Sequence, residues 1–481
     1  MKKAICLVIA VGMISTLCSC AANPNKDIVT GKRDGVFETR VLETSPENHN
    51  SPETQTMQHT EEFYSTDESV LFRLNIDEEV TAANMPVLEV VPRFITEEEA
   101  KNAAQVIFGD VEFFELRPRL VVLFSKNELR EMVDRWKQYT DEETIKRLTS
   151  SQANVDDEIK FVNSFIEKYS QMIETAPDGD LNTPCRWTYK DESFYWYSPE
   201  EASGDYGTDM ISAVTEPNGI PYEFNVEKRD RKDYRVSRIS VYVYDPLSPG
   251  GYDKDMYVDT LLRTEVPTRE QIDAAAVKAQ KMLDDMNLGE WKVDQVTVSG
   301  EELYEIHITA APIFNGVAAI WRPTQPGYAH NSRYDYTHAE FSFSANGELT
   351  GFNMDGLVDV QNVVNDNVAV MRVEELMEKA RTYLEHSDYY DYGLSKDLLK
   401  GYEKQGREIG CTVDVATLEY NLDRIRMPNE NDTYYYIPAI TLKGDVCYYM
   451  KDTGEEYYTF QDITLVTING VDGTVVNEIN S

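Results

Sequence analysis

Cysteine is scarce in this chain, with six among 481 residues. Cys6, Cys18 and Cys20 fall in the first twenty positions, which leaves Cys185, Cys411 and Cys447 for the rest. So few exclude a disulfide framework. Cys411 and Cys447 would suffice for one bridge; Cys411, on the strand face of Val413 and Val415, also reads as a small buried hydrophobe. Positive charge is short as well: 46 Lys and Arg stand against 85 Asp and Glu, a net −39. That excess excludes a nucleic-acid footprint, which must be basic, and a flat seat on anionic headgroups. It serves solubility and favours cationic partners. There is no His-Glu-x-x-His, no Gly-x-Ser-x-Gly, no phosphate-cradling glycine loop and no Cys-x-x-Cys, so no cofactor is implied. Asp178-Gly179-Asp180 lacks the remaining positions of an EF-hand loop.

Only one stretch is strongly apolar, and it comes first. Lys2 and Lys3 precede a run from Ala4 to Val11 that continues through Met13 and Ile14 to Leu17-Cys18-Ser19-Cys20. It is shorter than the ~20 residues of a membrane-spanning helix. A basic start, a short apolar middle and a small residue before the cut predict a secretory signal peptide over residues 1–19. The ending resembles a bacterial lipobox. That resemblance implies that Cys20 is diacylglycerylated and becomes the new N-terminus, with all that follows outside the cytoplasmic membrane. Loss of Lys2 and Lys3 moves the net charge to about −41.

Residues 20–62 are rich in Asn, Thr, Glu and Pro without a period, and are expected to form a disordered tether with a reach of ~35 Å. Val70, Phe72, Leu74 and Ile76 then alternate as a strand does. Thr96 and Glu99 form a capping box, with Ile95 placed to staple the first turn and Gly109 as the stop. Leu129, Met132, Val133, Trp136 and Tyr139 recur at three and four, as do Ile159, Val162, Ile166, Tyr169 and Ile173. They predict an antiparallel helical pair. Residues 221–226 and 236–244 read as strands, and the charges from Glu227 to Asp233 as a solvated hairpin tip. Pro246-Leu247-Ser248-Pro249-Gly250-Gly251 reads as a linker. It would divide a first α+β domain, residues 63–250, from a second, residues 251–481.

The second domain opens with another capping box, Thr268 and Gln271, before the apolar stripe Ile272, Ala275, Ala276, Ala279, Leu283 and Met286. Asn346-Gly347 predicts a tight hairpin. Val373, Leu376, Met377, Ala380, Tyr383 and Leu384 mark a further helix, and strands are expected at 411–420, 434–442, 446–450 and 463–468. The fold class is therefore α+β: capped helices packed on twisted antiparallel sheets, in two or more related units after the tether.

The segment from Val373 to Val476 resembles extracytoplasmic PepSY-type modules and is similar to the membrane-attached YycH-like regulators of Gram-positive cells. The features that carry this are Arg372-Val373-Glu374-Glu375-Leu376 with Ala380, Tyr436-Ile437-Pro438-Ala439-Ile440, and Leu465 through Val475. Within the last, Gly470 and Gly473 permit tight turns. The resemblance implies modulation of extracytoplasmic proteases or signalling proteins. The chain departs from it in having no peptidase domain after the module and no Ser or Thr cap before Val373. As a whole the chain also resembles uncharacterised Gram-positive lipoproteins.

One region concentrates chemistry: Trp321, Arg322, Tyr328, His330, Tyr334, Asp335, Tyr336 and His338 lie in a loop between strands, a place where ligands bind. A saccharide or peptide groove is the functional reading; a packed surface loop is the alternative, and His330, Asp335 and His338 are conceivable metal ligands. His307 alternates with Glu305 and Thr309, which predicts a solvent-facing position. The expected function is a binding or regulatory module, anchored in membrane lipid through Cys20 and recognising an envelope protein or a cell-wall ligand by a concave sheet or exposed strand edge. The competing functions are a cell-envelope hydrolase using paired carboxylates, which spacing alone cannot select among 85 acidic residues, and a passive component of a surface assembly.

Overall fold

The computed structural model describes residues 53–82, 85–116, 124–138, 140, 155–179, 182–191, 208–230, 235–243, 265–300, 303–320, 336–368, 370–387, 407–426 and 433–476. The signal peptide, Cys20 and the Pro246–Gly251 segment lie outside them. The fold is α+β, and its helices are α1 (Glu97–Phe108), α2 (Lys126–Gln138), α3 (Val155–Ile173), α4 (Arg269–Met286) and α5 (Val373–Glu385). No helix among the described residues is long and apolar enough to cross a membrane.

Both capping boxes form. Glu99 N–H donates to Thr96 Oγ1 at 3.2 Å, and Thr96 N–H donates to the Glu99 carboxylate at 2.8 Å. Gly109 ends α1 with φ 78°. Gln271 and Thr268 repeat the exchange at the head of α4. Each box satisfies two N–H groups that the first helical turn would leave unpaired. α5 has Arg372 at its N-cap and no side-chain cap.

The chain divides into two units that do not follow its order. Unit 1 comprises the described residues within 53–92, 313–320 and 358–476; unit 2 comprises those within 93–312 and 336–357. The boundary expected at residues 246–251 therefore separates nothing, because β-pairing joins distant segments. In unit 1 the strands are β1 (Glu53–Tyr64), β2 (Val70–Ala82), β3 (Val87–Pro92), β14 (Val358–Asn365), β15 (Ile409–Arg426), β16 (Tyr434–Met450) and β17 (Glu456–Asn469). They run in the order β1-β2-β15-β16-β3-β14, with β17 also on β16. β2 and β15 are parallel, Val70 beside Cys411, so this sheet is mixed rather than antiparallel throughout. Val373, Leu376, Met377, Ala380 and Leu384 of α5 pack on its apolar face with Val70, Phe72, Val413, Ile440 and Leu442.

Two expectations are corrected here. Residues 53–62, expected in the tether, belong to β1, which pairs with β2 along its whole length. The alternation is present, but between residues 57 and 63 polar residues occupy half of the inward positions: Met57 and Phe63 pack on the core while His59 and Glu61 share their face. Glu61 is held there by Arg381 at 2.9 Å. The strands expected at 434–442 and 446–450 are one, β16. It passes through Gly444 because a Cβ there would lie 2.1 Å from Asp414 O, opposite a bulge in β15.

Unit 2 contains β4 (Phe114–Glu115), β5 (Lys190–Asp191), β6 (Asp209–Thr215), β7 (Tyr222–Asp230), β8 (Arg235–Val243), β9 (Trp291–Ser299), β10 (Glu305–Phe314), β12 (His338–Ser344) and β13 (Leu349–Asp355). β10 turns through Asn315-Gly316 into the short β11 (Val317–Ala318). The order is β9-β10-β12-β13-β8-β7-β6, with β4 and β5 at opposite ends of β6. The charges at 227–230 lie within β7 rather than at a tip, and Asp230 pairs with Arg235 at 2.7 Å. Ala100, Ala103 and Ala104 of α1 and Ala275 and Ala279 of α4 belong to one buried core, small residues that let both helices lie close on the sheet. α2 and α3 form a separate layer around Leu129, Met132, Trp136, Val162 and Tyr169. Lys126, at the start of α2, reaches Asp178, just past the end of α3, so the pair is antiparallel as expected.

Candidate functional site

The sheet of unit 2 has two unlike faces. Phe341, Phe343, Phe352, Met354, Ile239, Val241, Phe224 and Val226 form the core face beneath α1 and α4. Side chains alternate along a strand, so the residues between these belong to the other face, and strand register sorts them into rows. The central row is Gln295, Thr309, Glu340, Asn353, Ser240, Asn225 and Ser212, across β9, β10, β12, β13, β8, β7 and β6. All seven carry a hydrogen-bonding side chain. Beside it runs Thr297, His307, Ser342, Gly351, Tyr242, Glu223 and Val214.

The central row is not closed on itself. Thr309 Oγ1, Asn225 Oδ1 and Ser212 Oγ are buried without a hydrogen-bond partner among the described residues. Asn225 is only 5% exposed, and its amide N–H donates to Glu223 at 2.7 Å. A buried polar atom left unpaired costs about 1–3 kcal/mol. Three of these atoms fall in one row.

His307 anchors one end of the second row. Its Nε2 lies 2.6 Å from Ser299 Oγ and 3.3 Å from Glu305 Oε2, and its Nδ1 lies 3.0 Å from Ser342 Oγ. Thr350 Oγ1 donates to Glu305 Oε1. The ring shares a face with Glu305 and Thr309, as their alternation predicts, and is 37% exposed. Its cross-strand serines were invisible in the sequence.

A third row, His338, Asp355, Arg238, Glu227 and Met210, carries charge that is paired internally. Asp355 is buried, accepts from Arg238 Nε and stands 3.7 Å from His338 Nε2. Arg229 Nη2 donates to Glu227 at 2.8 Å and its Nε to Thr208 Oγ1 at 3.0 Å. His338 Nδ1 lies 3.0 Å from Tyr336 O, so it is the protonated nitrogen.

Of the expected ligand-binding residues, the structure places Tyr336, which is buried, and His338, which heads this third row. Trp321, Arg322, Tyr328, His330, Tyr334 and Asp335 lie outside the described residues. No metal-holding group of three or more His, Cys, Asp or Glu occurs among the described residues.

Next to Ser212, where β4 and β5 leave the middle of β6 uncovered, a shallow open cleft is lined by Glu115, Cys185, Arg186, Lys190 and Met210. Glu115 pairs there with Lys190 at 2.8 Å. Burial pushes the Cys185 thiol above its ordinary value, which keeps it protonated. Cys411 and Cys447 are unbridged. Cys447 stands opposite Thr412, one residue out of register with Cys411, so the two side chains belong to opposite faces of the sheet. Burial, with a further push from Cys447, raises the Cys411 thiol to about 12.

No family model matches this chain, and no curated protein matches it. Among solved structures it is similar to an uncharacterized protein from Eubacterium rectale, at 10% identity and a TM-score of 0.36 over 92% of this chain and 98% of that one. A likeness of that size carries no argument about function.

Proposed function

We propose that this protein is a lipid-anchored, extracytoplasmic binding module whose recognition surface is the polar face of the unit 2 sheet. The observation that carries the reading is the central row: seven neighbouring strands contribute hydrogen-bonding side chains, and three buried polar atoms in it lack partners among the described residues. Protein interiors rarely tolerate such groups without a ligand or water to meet them. The Leu17–Cys20 pattern supports the anchor, and the resemblance of Val373–Val476 to PepSY-type modules supports a regulatory setting. The test is retention of the detergent-purified full chain on isolated cell-envelope material, beside the variant Thr309→Val/Ser240→Ala/Asn353→Ala. Saturable retention that the variant loses is the expected result. Equal retention of the two chains, or none by either, overturns the reading.

A second reading, envelope hydrolysis, has one observation in its favour. Ser342, His307 and Glu305 are joined through opposite nitrogens of one imidazole, the relation that activates a serine nucleophile. Covalent labelling of Ser342 by a fluorophosphonate, lost in His307→Ala, would establish it.

A further inference from the structure

Gly351 interrupts the second row for no reason of its own backbone. It lies inside β13 with Ser342 opposite on β12 and Tyr242 opposite on β8. Its φ is outside the left-handed region, and a Cβ built on it would meet Ser342 and Val241 at 3.7–3.9 Å, ordinary contact distances. The bulge next to it falls at Thr350 and does not require a glycine at 351. A glycine inside a strand weakens it, and one that the fold does not demand marks a place where something approaches the sheet closely.

The surroundings define what approaches. Ser342 and Tyr242 stand two strand spacings apart, about 10 Å, and among the described residues no side chain rises from the strand between them. Tyr242 supplies an aromatic wall; Asn353 lies two residues along the strand and Glu340 opposite it, so amide and carboxylate groups border the gap. An aromatic face beside amide, hydroxyl and carboxylate groups suits a ring that is apolar on its C–H faces and hydroxylated around its edge. The polar face carries Glu223, Glu227, Glu305, Glu340 and Asp355, while Arg229 and Arg238 are already paired with acids, so polyanions are repelled.

Building on the recognition surface proposed above, we infer that the Gly351 gap is a subsite for one uncharged sugar ring of a glycan, laid over the β13 backbone between Tyr242 and Ser342.

The test is calorimetric titration of the full chain in detergent with cellotetraose and with the tetramer of N-acetylglucosamine, a glycerol-phosphate polymer serving as the anionic control. At least one neutral oligosaccharide is expected to bind saturably and the polymer not at all. Gly351→Val should weaken that binding by about tenfold or more with its melting temperature maintained, and Tyr242→Ala by a similar factor. Oligosaccharide binding that Gly351→Val leaves intact overturns the subsite. Absence of oligosaccharide binding by a chain still retained on envelope material in a Thr309-, Ser240- and Asn353-dependent way overturns the sugar while leaving the recognition surface standing. Loss of both observations overturns the two together.

Discussion

Replacing Gly351 by alanine should make the protein more stable. The added methyl would sit 3.7 Å from Ser342 Cβ and 3.9 Å from Val241 O, where it gains contact without displacing anything, and the backbone already has a conformation open to any residue. The gain is the conformational entropy that glycine loses on folding, about 0.5–1 kcal/mol. For a unit of this size that corresponds to a rise of roughly 1–4 °C. Two control glycines should behave oppositely. At Gly444 the same methyl would lie 2.1 Å from Asp414 O, and at Gly300, with φ +125°, 1.8 Å from Leu303 O. Both clashes are with backbone, so the strand or turn itself must move, at a cost of about 2 kcal/mol or more. Equilibrium urea unfolding of the three variants measures all of this in one series. If Gly351→Ala destabilises by 1 kcal/mol or more while the controls behave as stated, Gly351 is a structural glycine and the gap in the row is a by-product of the fold.

Burial alone would raise the Glu99 carboxyl, but hydrogen bonds from Thr96 and the Arg93 charge outweigh it and hold the pKa below its ordinary value; Asp67 is lowered in the same way by Ser65 and Ser69. A carboxyl depressed in the folded state contributes stability that is complete above its unfolded value of roughly 4 and is lost as pH falls through the folded one. Thr96→Ala should therefore lower stability by about 1 kcal/mol at neutral pH and flatten its decline as pH falls below the unfolded carboxyl value of roughly 4, as read from urea midpoints. A reductant should leave the melting temperature unchanged, since Cys411 and Cys447 belong to opposite faces of their sheet; a fall of several degrees would mean a bridge and a different register. Cys20→Ser should move the protein from the membrane fraction to the soluble one and abolish incorporation of labelled palmitate, and a mutant still labelled would refute lipidation at that residue.

Local signals were legible in the sequence because they are complete within a few residues. Thr96 with Glu99, Thr268 with Gln271, and Asn346-Gly347 each specify a structure by spacing and side-chain chemistry alone. The helical stripes of α2 and α3 were equally legible, since a period of 3.6 needs only its own segment. What escaped was set by distant partners. β1 hid its alternation by placing His59 and Glu61 on the inward face, where Arg381, 320 residues away from Glu61, holds the carboxylate. The two units interleave because β2 pairs with β15 and β3 with β16, and no period within one strand reports its neighbour. The candidate face was missed for the same reason. Ser212, Asn225, Ser240 and Asn353 are unremarkable singly, and only register places them side by side. The one available signal was a run of strands whose central outward positions held amides and hydroxyls, with Glu340 the one charge among them.

The charge of the face supplies a last discrimination, between a neutral glycan and a cationic peptide. Five carboxylates lie on it, and both arginines are engaged by acids, so a basic peptide would be drawn in by a field that salt screens. The Debye length falls from about 30 Å at 0.01 M salt to about 8 Å at 0.15 M, comparable to the spacing between neighbouring rows. A peptide carrying several positive charges should thus lose affinity by roughly tenfold or more across that range. A sugar ring held by stacking on Tyr242 and by hydrogen bonds to Asn353 and Ser342 carries no charge to screen, and its affinity should change by less than about twofold. Titration at the two salt concentrations separates the cases without knowledge of the natural ligand. A steep salt dependence for the bound oligosaccharide would show that the carboxylates, rather than the gap at Gly351, provide the binding.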